Sequence, residues 1–262
     1  MQSMNKEEQW LLDEKYHGRK TAAYQKDVLR LRRGEPKDYV IGFVEFLGCK
    51  IDLSKRPLIP RFETEFWAEQ AIEAMSEWQI ANSKKGHSLL ATGFSLRVLD
   101  IFSGSGAIGI AIAKKIPGAH VAFADSEENC IGQIAINCSL NKIPADRYEI
   151  IQSDVFENIA GTFDVIVANP PYIPLKNKHK VQESAINHEP HVSLFGKEDG
   201  LFYIKQFLIQ ARSCLAPAGK LYMEFDSHQK PAIAKLLKQY GYKAWKFKKD
   251  QYGRWRYVVV GN

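Results

Sequence analysis

Asn169-Pro170-Pro171-Tyr172 is the stretch of this 262-residue chain whose residue types say most about chemistry. It follows an apolar run, Phe163-Asp164-Val165-Ile166-Val167-Ala168, that reads as a strand. Two prolines fix the backbone and remove two N–H donors, which exposes carbonyls. The side-chain oxygen of Asn169 and the carbonyl of Pro170 can then accept both hydrogens of a planar NH₂ group. That orients the nitrogen and directs its lone pair toward an incoming methyl group. Taken alone, the same four residues also read as a proline-rich turn with a capping asparagine. Their place at the carboxyl end of a strand, where ligand crevices of open α/β sheets lie, favours the chemical reading.

A second block supplies the partner for such a reaction. Asp100-Ile101-Phe102-Ser103-Gly104-Ser105-Gly106-Ala107-Ile108-Gly109 lies between a strand and a helix and contains G-x-G-x-x-G. Gly104 and Gly106 allow a tight turn and close approach to a ligand, and Gly109 allows close helix packing. The glycine pattern alone fits a nicotinamide site or a bare turn equally well. Two acids shift the reading. Asp100 ends the strand, placed to face an ammonium. Asp125 follows the next strand, 21 residues after Gly104, placed to accept both hydroxyls of a ribose. A cationic amino-acid nucleoside, S-adenosylmethionine, satisfies both. Further on, Asp154 could accept from an adenine amino group while Val155 or Phe156 covers the ring. Asp154 reads equally well as a helix N-cap with apolar neighbours in the core.

Other candidates are weaker. Glu63 and Glu65 in Ile59-Pro60-Arg61-Phe62-Glu63-Thr64-Glu65 read as charges at a helix N-terminus. His188 and His191 have metal-like spacing, but no cysteine or carboxylate cluster supports them, so no metal is expected. Cys130 and Cys138, eight apart, read as small buried side chains on one helix face; with Cys49 and Cys214 they form no C-x-x-C pair.

Strands and helices must position these blocks. Residues 5–33 read as helical, and Gly34-Glu35-Pro36 stops them. Residues 38–58 read as extended, with Tyr39-Val40-Ile41 and Phe43–Leu47 leading into a small hairpin. Residues 62–80 are helical again, and 82–95 read as a connector. From Leu96 on, strands alternate with helices: strands at 97–101, 120–124, 148–151, 163–168 and 219–225, helices at 107–115, 127–140, 200–215 and 228–240. A long polar loop occupies 173–199. Two last strands, 242–247 and 255–260, have no helix between them and should pair antiparallel. The expected architecture is a mainly parallel sheet covered on both faces. Division into a small N-terminal domain, residues 1–85, and a catalytic domain, residues 86–262, follows from the change of pattern.

Composition agrees with a globular chain: 45% hydrophobic and 25% charged. The longest run of apolar residues and glycine, Ala107–Ala113, falls far short of the roughly 20 residues a membrane span needs. The N-terminus, MQSMNKEEQW, lacks the apolar segment of a secretory signal, so a soluble cytoplasmic protein is expected. The net charge of +6 is uneven: +3 over residues 1–60, −3 over 61–180 and +6 over 181–262. The segment that carries the glycine and proline blocks is therefore not a cationic groove. Lys243-Ala244-Trp245-Lys246-Phe247-Lys248-Lys249 reads either as a nucleic-acid surface or as an edge strand whose lysines blunt one face.

In their order, these blocks resemble the HemK/PrmC family, which modifies glutamine in bacterial peptide chain release factors. The resemblance runs from about Tyr39 to the C-terminus. It rests on the Ile59–Glu65 block, the Asp100 glycine block, Asp125, Asn169-Pro170-Pro171-Tyr172, His188-Glu189-Pro190, Asp199-Gly200-Leu201, and Asp250 with Gly253 and Arg254. It implies a class I S-adenosylmethionine-dependent methyltransferase, Rossmann-like, with a seven-stranded mostly parallel sheet and a small N-terminal helical and hairpin domain that docks the substrate. Further implications are a catalytic Asn169-Pro170-Pro171-Tyr172, cofactor contacts from Asp100, Phe102, Ser103, Gly104, Ser105, Gly106, Asp125, Asp154, Val155, Phe156 and Asn169, and substrate contacts from Arg61, Glu63, Asn169, Pro170, Pro171, Tyr172 and Glu189. The implied partner is a release factor; a monomer that needs neither nucleic acid nor membrane is expected. Phe62 stands where the family usually has a second proline, Phe102 where it has the first glycine of the loop, and the N-terminal helical segment is short for the family. The alternatives are an rRNA or DNA amino-group methyltransferase with the same N-P-P-Y logic, a nicotinamide-dependent oxidoreductase, and a cofactor-binding regulatory protein.

Overall fold

The computed structural model describes residues 5–83 and 96–261. The N-terminal helical stretch is not continuous. It divides into α1 (Lys6–Glu14) and α2 (Ala22–Arg32), each capped by a side chain, Asn5 on Glu8 N–H and Thr21 on Tyr24 N–H. The expected strand at Tyr39-Val40-Ile41 is instead a short helix, α3 (Lys37–Ile41), between Pro36 and a left-handed Gly42. All three residues are buried in succession, which a helical turn in a corner achieves and a strand with one covered face does not. Val40 and Ile41 complete a small core with Leu11, Leu12, Tyr24, Val28 and Leu31.

The hairpin follows as expected, β1 (Phe43–Phe46) paired antiparallel with β2 (Cys49–Asp52), then α4 (Phe62–Ser83). Most of the expected connector 82–95, and the boundary between 85 and 86, lie outside the described residues. The remaining elements are β3 (Leu96–Ile101), α5 (Ala107–Lys115), β4 (Ala119–Asp125), α6 (Glu128–Leu140), β5 (Tyr148–Gln152), β6 (Phe163–Ala168), α7 (Glu183–His188), α8 (His191–Leu194), α9 (Phe202–Cys214), β7 (Leu215–Glu224), α10 (Lys230–Gln239), β8 (Ala244–Lys249) and β9 (Trp255–Gly261). The long loop after β6 is thus not wholly irregular: a 3₁₀ segment over Leu175–Lys180 and the helices α7 and α8 form within it.

Strand order in the main sheet is β5-β4-β3-β6-β7-β9-β8. β5, β4, β3, β6 and β7 run parallel, and β9 lies antiparallel between β7 and β8. The last two strands pair as expected, but the later one inserts between β7 and β8 and leaves β8 on the edge. On that edge Trp245 and Phe247 are half-buried against the core while Lys246, Lys248 and Lys249 are exposed. The chain winds outward from β3 to β5 and then crosses to β6, so the order reverses between β3 and β6. A crevice opens outside the strand ends at such a point.

Two cores flank the sheet. One holds α9 and α10 against Leu99, Ile101, Ile166 and Met223. The other is shared: Phe46, Cys49, Ile51 and Leu53 of the hairpin region, with Trp67, Ala71 and Met75 of α4, pack in one cluster with Val98, Ile110, Val121 and Phe123. Polar side chains of α6 and of Asn141, the residue that caps its C-terminus, dock the hairpin. Gln133, Asn137 and Asn141, one turn apart, meet the backbone of the β2 strand and the turn after it. Gln133 Oε1 takes the Lys55 N–H at 2.8 Å, Asn137 pairs with both backbone groups of Asp52 at 2.8 and 3.1 Å, and Asn141 with both of Lys50 at 3.2 and 2.8 Å. The Asn137 amide also reaches the carbonyl of Ser105 at 2.9 Å, which ties the hairpin to the glycine loop.

Candidate active site

The crevice lies where the topology places it. A cleft opens at the carboxyl ends of β3, β4 and β6, where ligands bind in open α/β sheets. Phe102, Ser103, Gly104 and Ser105 form one wall, Asp125, Asp154 and Val155 the next, and Asn169 and Pro171 the end. Phe46, Ile59, Pro60, Arg61 and Thr64 close it from the N-terminal side. The catalytic sheet alone therefore makes only part of the site.

The loop after β3 is locked from below. Ser103 Oγ donates to the Asp100 carbonyl at 2.6 Å and accepts the Ala124 N–H at 2.9 Å. Gly106 adopts φ 78° and opens α5. At Gly109 a side chain is excluded: a Cβ there would stand 2.3 Å from the Phe123 ring, so α5 can lie this close to β4 only with glycine at that turn. Phe102, standing where the family has glycine, holds the same left-handed backbone at φ 60°. Its ring sits edge-on to Tyr203 at 6.0 Å and tilts against Phe207, which offsets the backbone cost.

The two acids differ in surroundings. Asp125 lines the cleft, with Oδ2 on the Gly104 N–H at 2.8 Å and Oδ1 on the Glu127 N–H at 3.0 Å. These donors aim the carboxylate and leave lone pairs for hydroxyl groups. Asp100 lies beneath the loop, 1% exposed, and does not line the cleft. Its Oδ2 accepts the Gly109 N–H at 2.8 Å, and its Oδ1 is buried with no hydrogen-bond partner among the described residues. Burial lifts its carboxyl to about 7; the Gly109 N–H opposes the rise and the Asp125 charge adds to it. Such a residue braces the loop from below through the Gly109 N–H.

The third acidic block is divided. Asp154 is exposed on the cleft wall and Val155 lines it at φ 48°. No helix follows Asp154, so the capping alternative is not met; the Ser153 hydroxyl instead accepts the Asn158 N–H at 3.0 Å. Phe156 is turned away from the cleft and stacks on Phe207 in the core at 5.8 Å.

Asn169 stands between two cavities. It lines the cleft and also an adjoining cavity shared with Arg61, Pro170, Tyr172, Ile173 and Gln182. The Asn169 amide donates to the Thr64 hydroxyl at 3.2 Å. Thr64 in turn donates to Glu224 at 2.7 Å, and the Tyr172 hydroxyl and the Trp67 indole N–H donate to the same carboxyl at 3.0 and 2.6 Å. Glu224 is 1% exposed; burial raises its carboxyl above the usual range, against the donors and the nearby Arg256 charge. The Tyr172 carbonyl is clamped by the Gln229 amide at 3.0 Å and by Gly200, where a Cβ would fall 2.3 Å from that oxygen.

The other expected substrate contacts fall differently. Arg61 lines both cavities, but Glu189 is buried under it, paired at 2.6 Å and also accepting the Ile59 N–H at 3.2 Å. Glu189 thus fastens the long loop to the Ile59–Arg61 segment. Glu63 lines neither cavity. Asp250 organises the β8–β9 turn, taking the Tyr252 and Arg254 N–H groups and the Arg256 side chain. Among the described residues no group of three or more His, Cys, Asp or Glu could hold a metal, and no helix is long and apolar enough to cross a membrane. Tyr203, Thr64 and Glu224 join the site without being individual candidates in the sequence. An acid ending the apolar strand Leu221-Tyr222-Met223-Glu224 was the available signal for the last.

A family model described as the methyltransferase small domain matches residues 83–192. A release factor glutamine methyltransferase of Lactococcus lactis subsp. lactis is 33% identical over 210 residues, which span 80% of this chain and 71% of the relative. A bifunctional methyltransferase of Rickettsia felis is 31% identical over 261 residues, 95% of this chain and 49% of the relative; the chain spans about half the length of that relative. Among solved structures, a ribosomal protein L11 methylase from Lactobacillus delbrueckii subsp. bulgaricus superposes with a TM-score of 0.52 at 20% identity over 79% of this chain and 81% of that one. That likeness speaks for the fold, a class I methyltransferase sheet. With this fold, with N-P-P-Y at the end of β6 and with one-third identity over most of a curated relative, the chain belongs to the HemK/PrmC family of release factor glutamine methyltransferases.

Proposed function

We propose that this protein transfers a methyl group from S-adenosylmethionine to the side-chain amide nitrogen of the glutamine in the Gly-Gly-Gln motif of a peptide chain release factor. The observation that carries the reading is the position of Asn169 at the junction of two cavities, the cleft lined by the glycine loop and Asp125 on one side and a pocket for an acceptor on the other. S-adenosylmethionine, when bound, supplies an electrophilic methyl group on a sulfonium. Asp125 would hold the ribose, Phe102–Ser105 the amino-acid end, and Asp154 with Val155 the base. An amide nitrogen is a poor nucleophile because its lone pair is delocalised into the carbonyl. Asn169 Oδ1 and the Pro170 carbonyl would accept its two N–H groups, fix its plane and disperse the positive charge that develops on nitrogen as the sulfonium C–S bond gives way to the N–C bond; the thioether product leaves and one amide proton passes to solvent. The Arg61 side chain and the Tyr172 ring bound the pocket that admits the glutamine. We further propose docking of the release factor by the N-terminal domain, residues 1–85, and action as a cytoplasmic monomer without nucleic acid.

The test offers a release factor and rRNA in parallel to the enzyme with labelled methyl donor. Label is expected on the release factor glutamine only, and a Gln→Ala substrate in the Gly-Gly-Gln motif should take none. Asn169→Ala should lower single-turnover methylation about 100- to 1,000-fold, the loss typical of one preorganised hydrogen-bond group, with a much smaller effect on cofactor affinity. Label on rRNA, or on the Gln→Ala substrate, sinks the proposal.

A further inference from the structure

The Thr64–Glu224 contact joins two parts of the chain 160 residues apart and leads to Asn169. With Glu224 as a carboxylate, which can only accept, the direction of each hydrogen bond follows. The indole N–H of Trp67 can only donate, so Glu224 Oε2 is an acceptor. Thr64 has one hydroxyl hydrogen and directs it at the same Oε2, 2.7 Å away. Its oxygen is then left only lone pairs for Asn169, and the Asn169 atom at 3.2 Å must be the NH₂ nitrogen. The planar amide therefore has one orientation, with Oδ1 on the side away from Thr64. The reverse orientation would set two acceptors against each other.

We propose that Thr64 and Glu224 are positioning residues for the acceptor site, holding the Asn169 amide in the orientation that offers its oxygen, and not its NH₂, to the incoming glutamine. This rests on the reading of Asn169 as the ligand of the acceptor nitrogen. An amide free to flip would present donors to a donor for part of the time. Tyr172 shares the arrangement, because its hydroxyl donates to the other oxygen of Glu224 at 3.0 Å. Asn169 at the end of β6 and Tyr172 just after it are thus both referred to one buried carboxyl at the end of β7. Thr64 and Trp67 lie on α4, so the helix that follows Ile59-Pro60-Arg61 completes the arrangement. Within Ile59–Glu65, Thr64 is the residue that serves Asn169, whereas Glu65 accepts the Leu47 N–H at 2.7 Å and only supports the hairpin.

Thr64→Val keeps the shape and removes the hydroxyl. It should lower kcat on a release factor about 10- to 100-fold, the range for loss of a group that orients a ligand-contacting residue, with a larger effect on kcat than on KM. Thr64→Ser should restore kcat. In an Asn169→Ala background, Thr64→Val should cost nothing more, since its effect passes through Asn169. Unchanged kcat in Thr64→Val, or a loss that adds in full to that of Asn169→Ala, overturns the proposal. A second measurement needs neither methylation nor a folded Thr64 variant. The Asn169 side-chain NH₂ resonances, identified by their absence in Asn169→Ala, should show slowed hydrogen exchange in the wild-type protein. Exchange as fast as in exposed asparagines overturns the proposed orientation. A wild-type enzyme that leaves the release factor unlabelled defeats the functional reading instead, and the exchange measurement still decides the orientation.

Discussion

Asp100 carries the most unusual environment of any residue at the site, and its consequence is a pH dependence with a definite sign. Its carboxyl is lifted from an ordinary 3.8 to about 7 by burial, with Gly109 N–H its hydrogen-bond donor. Between about pH 4 and pH 7 the folded protein then binds this proton more tightly than the unfolded chain does. Its contribution therefore favours folding at low pH and is lost as pH rises through that window, by at most a few kcal/mol. Replacing Asp100 by Asn removes the titration while keeping an oxygen for the Gly109 N–H. The stability difference between Asp100→Asn and wild type should shift in favour of the variant from pH 4 to pH 7 in ligand-free protein. Denaturant titrations across that range provide the check, and parallel curves would refute the assignment.

Helix α6 acts at the scale of elements. Its Gln133 and Asn137 and its C-terminal cap Asn141 stand on one face because residues four apart lie above one another. There they satisfy backbone groups that a third hairpin strand would otherwise have satisfied. Asn137 is fully buried and bonds to Asp52 on one side and Ser105 on the other. Asn137→Ala leaves several buried polar groups unpaired and should lower stability by about 2–4 kcal/mol. It should also weaken cofactor binding, because Ser105 lines the cleft. Asn141→Ala, at the partly open end of β2, should cost less and leave cofactor affinity unchanged. Urea unfolding and calorimetry with the homocysteine product distinguish the two; equal effects of both variants on binding would show that the Asn137–Ser105 link does not matter.

For the molecule as a whole, the cores predict where it opens first. The hairpin and α4 share a core with the sheet, whereas α1, α2 and α3 have a small one of their own. Ion pairs gather around that small core: Asp27 with Lys15 and Arg30, and Glu35 with Arg30 and Arg56. Hydrogen bonds from Arg30 and Arg56 pull the Glu35 carboxyl down to about 2 against burial, and Asp27 is also lowered, by its bonds to Lys15, Tyr16 and Arg30 against burial. Depressed carboxyls contribute stability above their unfolded values and lose it as pH falls toward the folded ones. Between pH 5 and about pH 2, amide exchange in α1–α3 should accelerate relative to β3, β4 and β6. Exchange that rises together in both regions would mean that the two cores unfold as one.

Much of this arrangement was legible in the chain. Glycines at Gly104, Gly106 and Gly109, prolines at Pro170 and Pro171, and alternating apolar runs encode local backbone geometry, and local geometry depends on near neighbours. They sufficed for the parallel sheet, the loop after β3 and the placing of Asn169 at a strand end. Tyr39-Val40-Ile41 carries the residue types of a strand, while burial of Val40 and Ile41 against α1 and α2, and of Tyr39 in the core shared with the hairpin and α4, makes it a helical turn. The insertion of β9 between β7 and β8 was illegible for a similar reason, since either order satisfies the same local pattern. Phe156, Glu189 and Asp100 have the residue types of site ligands, yet packing turns the first into the core, buries the second under Arg61 and seals the third below the loop. Thr64 and Glu224 meet only after α4 has closed over the sheet. The sequence by itself determined which residues can turn a chain, accept a proton or orient an amide, because those are properties of side chain and backbone type. Which of them face the same few ångströms of space was decided by tertiary structure alone, because contacts across 160 residues depend on how the two cores pack and leave no periodic trace in the chain.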